Sequence, residues 1–206
     1  MSEVNPNPLE QINQIKAMME KSSRFISLSG WSGISAGICA LIGAFLAHQK
    51  IQHYYDVDYL SRGSRPTELF NYLISIAIVV FFVAASLAFF FTYKKSKENR
   101  IPLWGEVAKR LLWNTCLPIF VGGIFILKLA NDNCYEYVSA TCLLFYGLGL
   151  INGSKYTLGE VKYLGYAQIL LGLLNLFFVR HGLMFWALGF GVFHIVYGIF
   201  MWQKYK

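Results

Sequence analysis

Six apolar stretches, each near the length that crosses a bilayer, occupy most of this chain and leave it few ways to fold. Hydrocarbon offers no water to pair with stray N–H and C=O groups, so a spanning segment has to satisfy its own backbone bonds, as an α-helix does. A span needs about 20 mostly apolar residues. Segments of that kind run over Phe25–His48, Leu69–Tyr93, Leu111–Ala130, Tyr137–Asn152, Val161–Val179 and Leu183–Trp202, the fourth being the shortest. Hydrophobic residues make up 56% and charged residues 14%, against roughly 25% charged in soluble domains. The expectation is an all-α, polytopic membrane helical bundle of six transmembrane helices, residues 25–206, preceded by a cytoplasmic amphipathic segment, residues 1–24.

The opening twenty residues are polar and lack the apolar core of a signal peptide, so the first span is expected to stay as an anchor. Basic residues near spans set orientation. With a cytoplasmic N-terminus, Lys16, Lys21, Arg24, Lys94, Lys95, Lys97, Arg100, Lys109, Arg110, Lys155, Lys162, Lys204 and Lys206 fall inside, and Lys50, Arg62, Arg65, Lys128 and Arg180 outside. Both termini are therefore expected in the cytoplasm. The net charge of +7 needs no nucleic acid, because such residues meet anionic headgroups.

Asn7-Pro8-Leu9-Glu10 reads as a helix start, with Asn7 as cap and Pro8 at the first helical position. Leu9, Ile12, Ile15 and Met19 then share a face, which suits a helix lying on the membrane surface or packed under the bundle. Cys39, Cys116 and Cys142 fall in spans and Cys134 near the outer surface, so no disulfide within the chain is expected. Asn152-Gly153-Ser154 spells a glycosylation acceptor, but on the side where that modification does not occur.

The last two spans are joined only by Arg180-His181-Gly182 and must run antiparallel as neighbours. Gly165, Gln168, Gly172 and Asn175 share one face of the fifth span, and Ala187, Gly191, His194 and Gly198 share one of the sixth. In a hairpin, facing positions keep a nearly constant sum, as the pairs 165/198, 168/194, 172/191 and 175/187 do to within one. The two small-residue faces are thus expected to meet, with a Gln168–His194 hydrogen bond between them. Gly33 and Gly37 mark a similar packed face on the first span. The second, bulky and aromatic from Ile74 to Phe91, suits the lipid-facing perimeter. In the third, Pro118 should free a carbonyl near Asn114.

At about 1.5 Å per residue, Ser32 lies about 12 Å below the cytoplasmic boundary, Gln168 about 9 Å and His194 about 15 Å. Asn114 and Tyr146 fall in the same half. Polar groups at membrane depth usually face the bundle interior. Ser32, Asn114, Tyr146, Gln168 and His194 therefore form a candidate ligand-binding pocket open to the cytoplasm, or else staple neighbouring helices. No paired carboxylates occupy a span, no Gly-rich phosphate loop occurs and no cofactor is implied. His48, His53, Asp56 and Asp58 in the first outer loop carry metal-capable donors but no family spacing, and no metal site is assigned.

Three resemblances bear on function. Gly30-Trp31-Ser32-Gly33 is similar to the GxSG string around the serine of rhomboid intramembrane proteases, which implies Ser32 as nucleophile and His194 as base. The rest departs from that family, having no counterpart of its second histidine and asparagine motif or of its long first loop. Met19-Glu20-Lys21-Ser22-Ser23-Arg24-Phe25-Ile26-Ser27-Leu28-Ser29-Gly30 and Phe185-Trp186-Ala187-Leu188-Gly189-Phe190-Gly191-Val192-Phe193-His194 resemble a family of small uncharacterised membrane proteins of Bacteroidetes-type bacteria. That resemblance implies a bacterial inner-membrane location and no activity. The closing hairpin, through Leu170-Leu171-Gly172-Leu173-Leu174, is similar to six-helix acid-resistance membrane proteins of enteric bacteria. The expectation is a non-enzymatic sensor, accessory or stress-related protein, acting as a homo-oligomer or with a membrane-protein partner in the lipid bilayer. The alternative is a small transporter or channel built around the polar pocket.

Overall fold

Among the described residues all six apolar stretches are helical, and at Pro66–Glu98 and Glu106–Asn131 charged residues prolong the helix beyond its apolar core. The computed structural model describes residues 29–58, 66–98 and 104–205, so the expected amphipathic segment 1–24 lies outside the described residues. The described elements are α1 (Gly30–His53), closed by a π-helical turn Tyr54–Asp58, then α2 (Pro66–Glu98), α3 (Glu106–Asn131), α4 (Val138–Gly153) and α5 (Val161–Phe177). The closing span is broken into α6 (Gly182–Trp186), a π-helical segment Ala187–Phe193 and α7 (His194–Lys204). No strand occurs among the described residues.

Four helical segments are long and apolar enough to cross a membrane: Gly30–Asp56, Thr67–Glu98, Glu106–Asn131 and Val179–Lys204. With 16 and 17 residues, α4 and α5 are shorter. Polarity is distributed as lipid solvation requires. On α2, Phe81, Phe82, Phe89 and Phe90 are exposed, whereas the buried positions of α1 are Gly30, Ser32, Gly37, Ala40, Gly43, Ala44 and Ala47. Bulky side chains face outward and small ones inward, because lipid supplies no hydrophobic drive for helix association and close backbone approach has to supply dispersion contacts instead.

Two groups of helices result. One centres on α1, which packs along α2 and against α7 and the π segment; the other centres on α4, which packs along α3 and α5. The closing span joins them, and Leu143, Leu171 and Phe185 form a buried cluster at the junction with Leu188, Phe190 and Phe193 against it. At one end of the bundle Lys95 Nζ donates to the Tyr205 carbonyl at 3.2 Å, and Lys204 pairs with Glu160. The C-terminal ends of α2 and α7 and the N-terminal end of α5 therefore meet there.

The expected match between the glycine faces of the last two spans does not occur. A Cβ at Gly165 would lie 2.9 Å from the Gly147 carbonyl oxygen, and one at Gly147 would lie 2.8 Å from that of Gly165, so this glycine face turns to α4. Gly172 faces Leu144 of α4 as well. On the closing span, Gly198 faces Gly30 and Ile34, and Gly191 faces Leu41 and Gly37, so this face turns to α1. Gly33 joins the same seam, where a Cβ would lie 3.1 Å from the Gly198 Cα. Each of the two helices of the closing hairpin thus turns its glycines to a glycine-bearing helix other than its partner in that hairpin. The π segment adds residues per turn, which breaks the even 3.6-residue register on which the hairpin pairing rests.

Candidate functional site

The break in the closing span collects the polar groups. Where π-helical bonding returns to the i→i+4 pattern, the backbone pairing cannot be continuous, and such segments often lie at functional positions. Within this one, the Gly189 carbonyl accepts two side-chain donors: Nε2 of Gln168 from α5 at 2.7 Å and Nδ1 of His194 at 2.9 Å. The other ring nitrogen of His194, Nε2, lies 2.8 Å from the hydroxyl of Tyr146 on α4. A carbonyl can only accept, so Nδ1 carries a proton, and when the ring is neutral Nε2 accepts from the tyrosine. The chain Tyr146 O–H to His194 to Gly189 C=O, with Gln168 on the same carbonyl, ties α4, α5 and the closing span together.

Packing holds these rings in place. Trp186, Phe190 and His194 follow at every fourth position, with ring centroids 5.1 Å apart for the first pair and 6.0 Å for the second. Tyr146 lies against both Phe190, at 5.0 Å, and His194, at 5.5 Å. Gln168 is fully buried, and its Oε1 has no hydrogen-bond partner among the described residues. A second buried amide lies further along α5, where Asn175 Nδ2 donates to the Phe178 carbonyl at 3.2 Å and closes the helix end.

Of the five residues expected to line one pocket, three meet: Tyr146, Gln168 and His194. The expected direct Gln168–His194 bond is replaced by a shared acceptor, since both side chains reach the Gly189 carbonyl. Ser32 is buried in the first turn of α1, where its hydroxyl donates to the Ser29 carbonyl. With both His194 nitrogens engaged by Tyr146 and Gly189, the nucleophile and base pairing with Ser32 has no geometric support. Depth alone groups these residues, and the rotation of each helix about its axis separates them.

Asn114 belongs to a different seam. Proline at position 118 has no N–H for the carbonyl four residues earlier, and that carbonyl, of Asn114, accepts from Asn152 Nδ2 at 3.0 Å. Asn152 also reaches Asn114 Oδ1 at 3.3 Å, while Asn114 Nδ2 donates to the Arg110 carbonyl at 2.8 Å. The carbonyl freed by Pro118 is legible in the sequence; its partner is not, because Asn152 stands out only as part of a glycosylation string.

At the basic end, Glu160 accepts from Lys204 and, at 3.0 Å, from the Tyr205 hydroxyl. Burial alone would raise the Glu160 carboxyl, but the bonds from Lys204, its own backbone and Tyr205 together hold it below the usual glutamate value. His48 and His53, expected in a loop, lie in the last turns of α1, and Asp56 in the π-helical turn after it; all three are exposed, and among the described residues no three His, Cys, Asp or Glu side chains group as metal ligands. All four cysteines are free thiols. Comparison of the chain with protein-family models, with curated proteins and with solved structures finds no match.

Proposed function

We propose that this chain is a non-enzymatic integral protein of a bacterial inner membrane, a sensor or accessory subunit that works through the packing of its closing span and through a membrane partner or a second copy of itself. The carrying observation is the network on Gly189. Its polar groups are directed at one another and at the backbone of a helix break, an arrangement suited to setting the register of a helix and not to chemistry on a substrate. We read all six helices as spans with both termini cytoplasmic. Support comes from α4, whose 16 residues extend about 24 Å, close to a bilayer core of about 30 Å. Further support is the gathering of Lys95, Lys204 and the α4–α5 turn with Lys155 at the end where helix termini meet.

A thermal-shift screen of the detergent-solubilised protein against metabolites, ions and lipids, run beside His194→Ala, tests the reading. Two membrane hydrogen bonds are removed by the substitution, so the variant should lose about 2 kcal/mol of stability while its response to metabolites and ions stays that of the parent. Saturable stabilisation by a metabolite or ion that vanishes in His194→Ala would overturn the reading of this network as packing alone and favour a ligand-binding sensor or a transporter with a polar pocket.

A further inference from the structure

The short turn after α5 forces it beside the closing span at the Val179–His181 end, but the two helices turn their glycine faces away from each other, to α4 and α1. Along their length α5 and α7 share no extended seam, and the Glu160–Lys204 pair joins their ends at the basic end. A groove of about 320 Å³ opens between them, at the lower end of the roughly 300–1,000 Å³ typical of ligand sites. Tyr163, Leu164 and Ala167 form one wall, and Phe193, Val196 and Phe200 the other. The lining is almost wholly apolar. Tyr197 also borders it, and its hydroxyl is buried with no hydrogen-bond partner among the described residues.

The mouth of the groove has a different character. Glu160 stands there, paired with Lys204, and the next basic residue, Lys162, lies 5.0 Å from the centroid of the Tyr163 ring that forms the wall. Glu160, the charged residue that lines the groove, is neutralised by Lys204, and Lys162 beside the Tyr163 ring and Lys95 on the Tyr205 carbonyl leave an excess of positive charge around the rim. An apolar slot with excess positive charge at its end matches an amphiphile with a hydrocarbon tail and an anionic head. We propose that this groove holds one acyl chain of an anionic phospholipid, with the phosphate at Lys162 and Lys204. The lipid fills the wedge that divergent glycine faces leave open, and it contacts Phe193 and Val196 on either side of His194.

Native mass spectrometry of the full chain in detergent tests this, with phosphatidylglycerol and phosphatidylcholine of identical acyl chains added in turn. The wild type should retain one phosphatidylglycerol with a preference of about fivefold over phosphatidylcholine, the order expected for one basic contact. Val196→Trp, at an exposed position on the wall, and Ala167→Trp should each block the slot and lower occupancy by about fivefold. Lys162→Gln combined with Lys204→Gln should abolish the headgroup preference. Equal retention by the wild type and both tryptophan variants would overturn the proposal, as would absence of headgroup preference in the wild type. Loss of a dimer in Val196→Trp with lipid retention unchanged would give the groove to a second copy and overturn it too. Because Val196 is exposed, that variant keeps the test decisive if Ala167→Trp does not fold.

Discussion

On its α1 side the closing span is fastened by backbone, and on its α4 and α5 side by side chains. Methyl groups at Gly30, Gly37 and Gly198 would run into backbone across that seam, whereas Gln168 of α5 reaches the Gly189 carbonyl and Tyr146 of α4 reaches His194, which holds the same carbonyl. The difference follows from what the closing span presents to each side. Its glycines, Gly191 of the π segment included, let α1 approach closely, while on the other side the Gly189 carbonyl of the break is a polar atom that cannot be left to lipid. The same rule operates at Pro118, where the freed Asn114 carbonyl is met by Asn152. Small residues therefore mark the closely packed seams in this protein, and amides mark the carbonyls that helix breaks leave over.

The sharpest way to break that comparison is to add one carbon to the closely packed seam. A Cβ at Gly198 would lie 2.6 Å from the Ile34 nitrogen and 2.7 Å from the Gly30 carbonyl oxygen, backbone atoms that cannot rotate away. Gly198→Ala should cost about 3 kcal/mol, the upper end of overpacking penalties, in a reversible unfolding titration. A methyl group added at Gly123 on α3 would meet nothing within 4 Å, so Gly123→Ala should be neutral or stabilise by up to about 1 kcal/mol through helix propensity. Equal losses at the two sites would dissolve the distinction between seam glycines and lipid-facing ones.

A double-mutant cycle sharpens the side of the freed carbonyls. Asn152→Leu should cost about 1 kcal/mol by leaving the Asn114 carbonyl unpaired. In a Pro118→Ala background the helix regains its own N–H donor for that carbonyl, and the same substitution should cost much less. Additive effects would mean that Asn152 does not act on the carbonyl that proline frees.

Smallest is the ion pair at the basic end. The Glu160 carboxyl is held low in the folded chain, so its contribution is complete above the ordinary glutamate value of about 4.3 and fades as pH falls through the lowered one. Acidification below about pH 4 should lower the melting temperature of the wild type more than that of Glu160→Gln. Parallel curves would remove Glu160 from the account.

Much of this can be read in the residues, and the failures share one cause. Apolar length and composition are carried by every position of a span, so the helices and their outward bulk are legible. So is the carbonyl freed by Pro118, because it depends only on a local covalent fact. Which glycine meets which partner depends on rotation about helix axes, and that is sensitive to a single change in residues per turn. Nothing in Ala187–Phe193 signals a π segment by composition beyond the glycines 189 and 191. The hairpin rule therefore pairs Gln168 with His194 directly, when the two meet only through Gly189. Ser32 and Asn114 are grouped with them by depth, a coordinate that says nothing of azimuth.

The claim that the closing span is held through Gly189 rests on which nitrogen of His194 carries the proton. Nitrogen-15 NMR of histidine-labelled protein in lipid nanodiscs at neutral pH, with the resonance assigned by its loss in His194→Gln, measures this directly. The geometry predicts a neutral ring protonated at Nδ1, its hydrogen on the Gly189 carbonyl and its Nε2 unprotonated and accepting from Tyr146. A neutral ring protonated at Nε2 leaves no hydrogen for that carbonyl and would contradict the account.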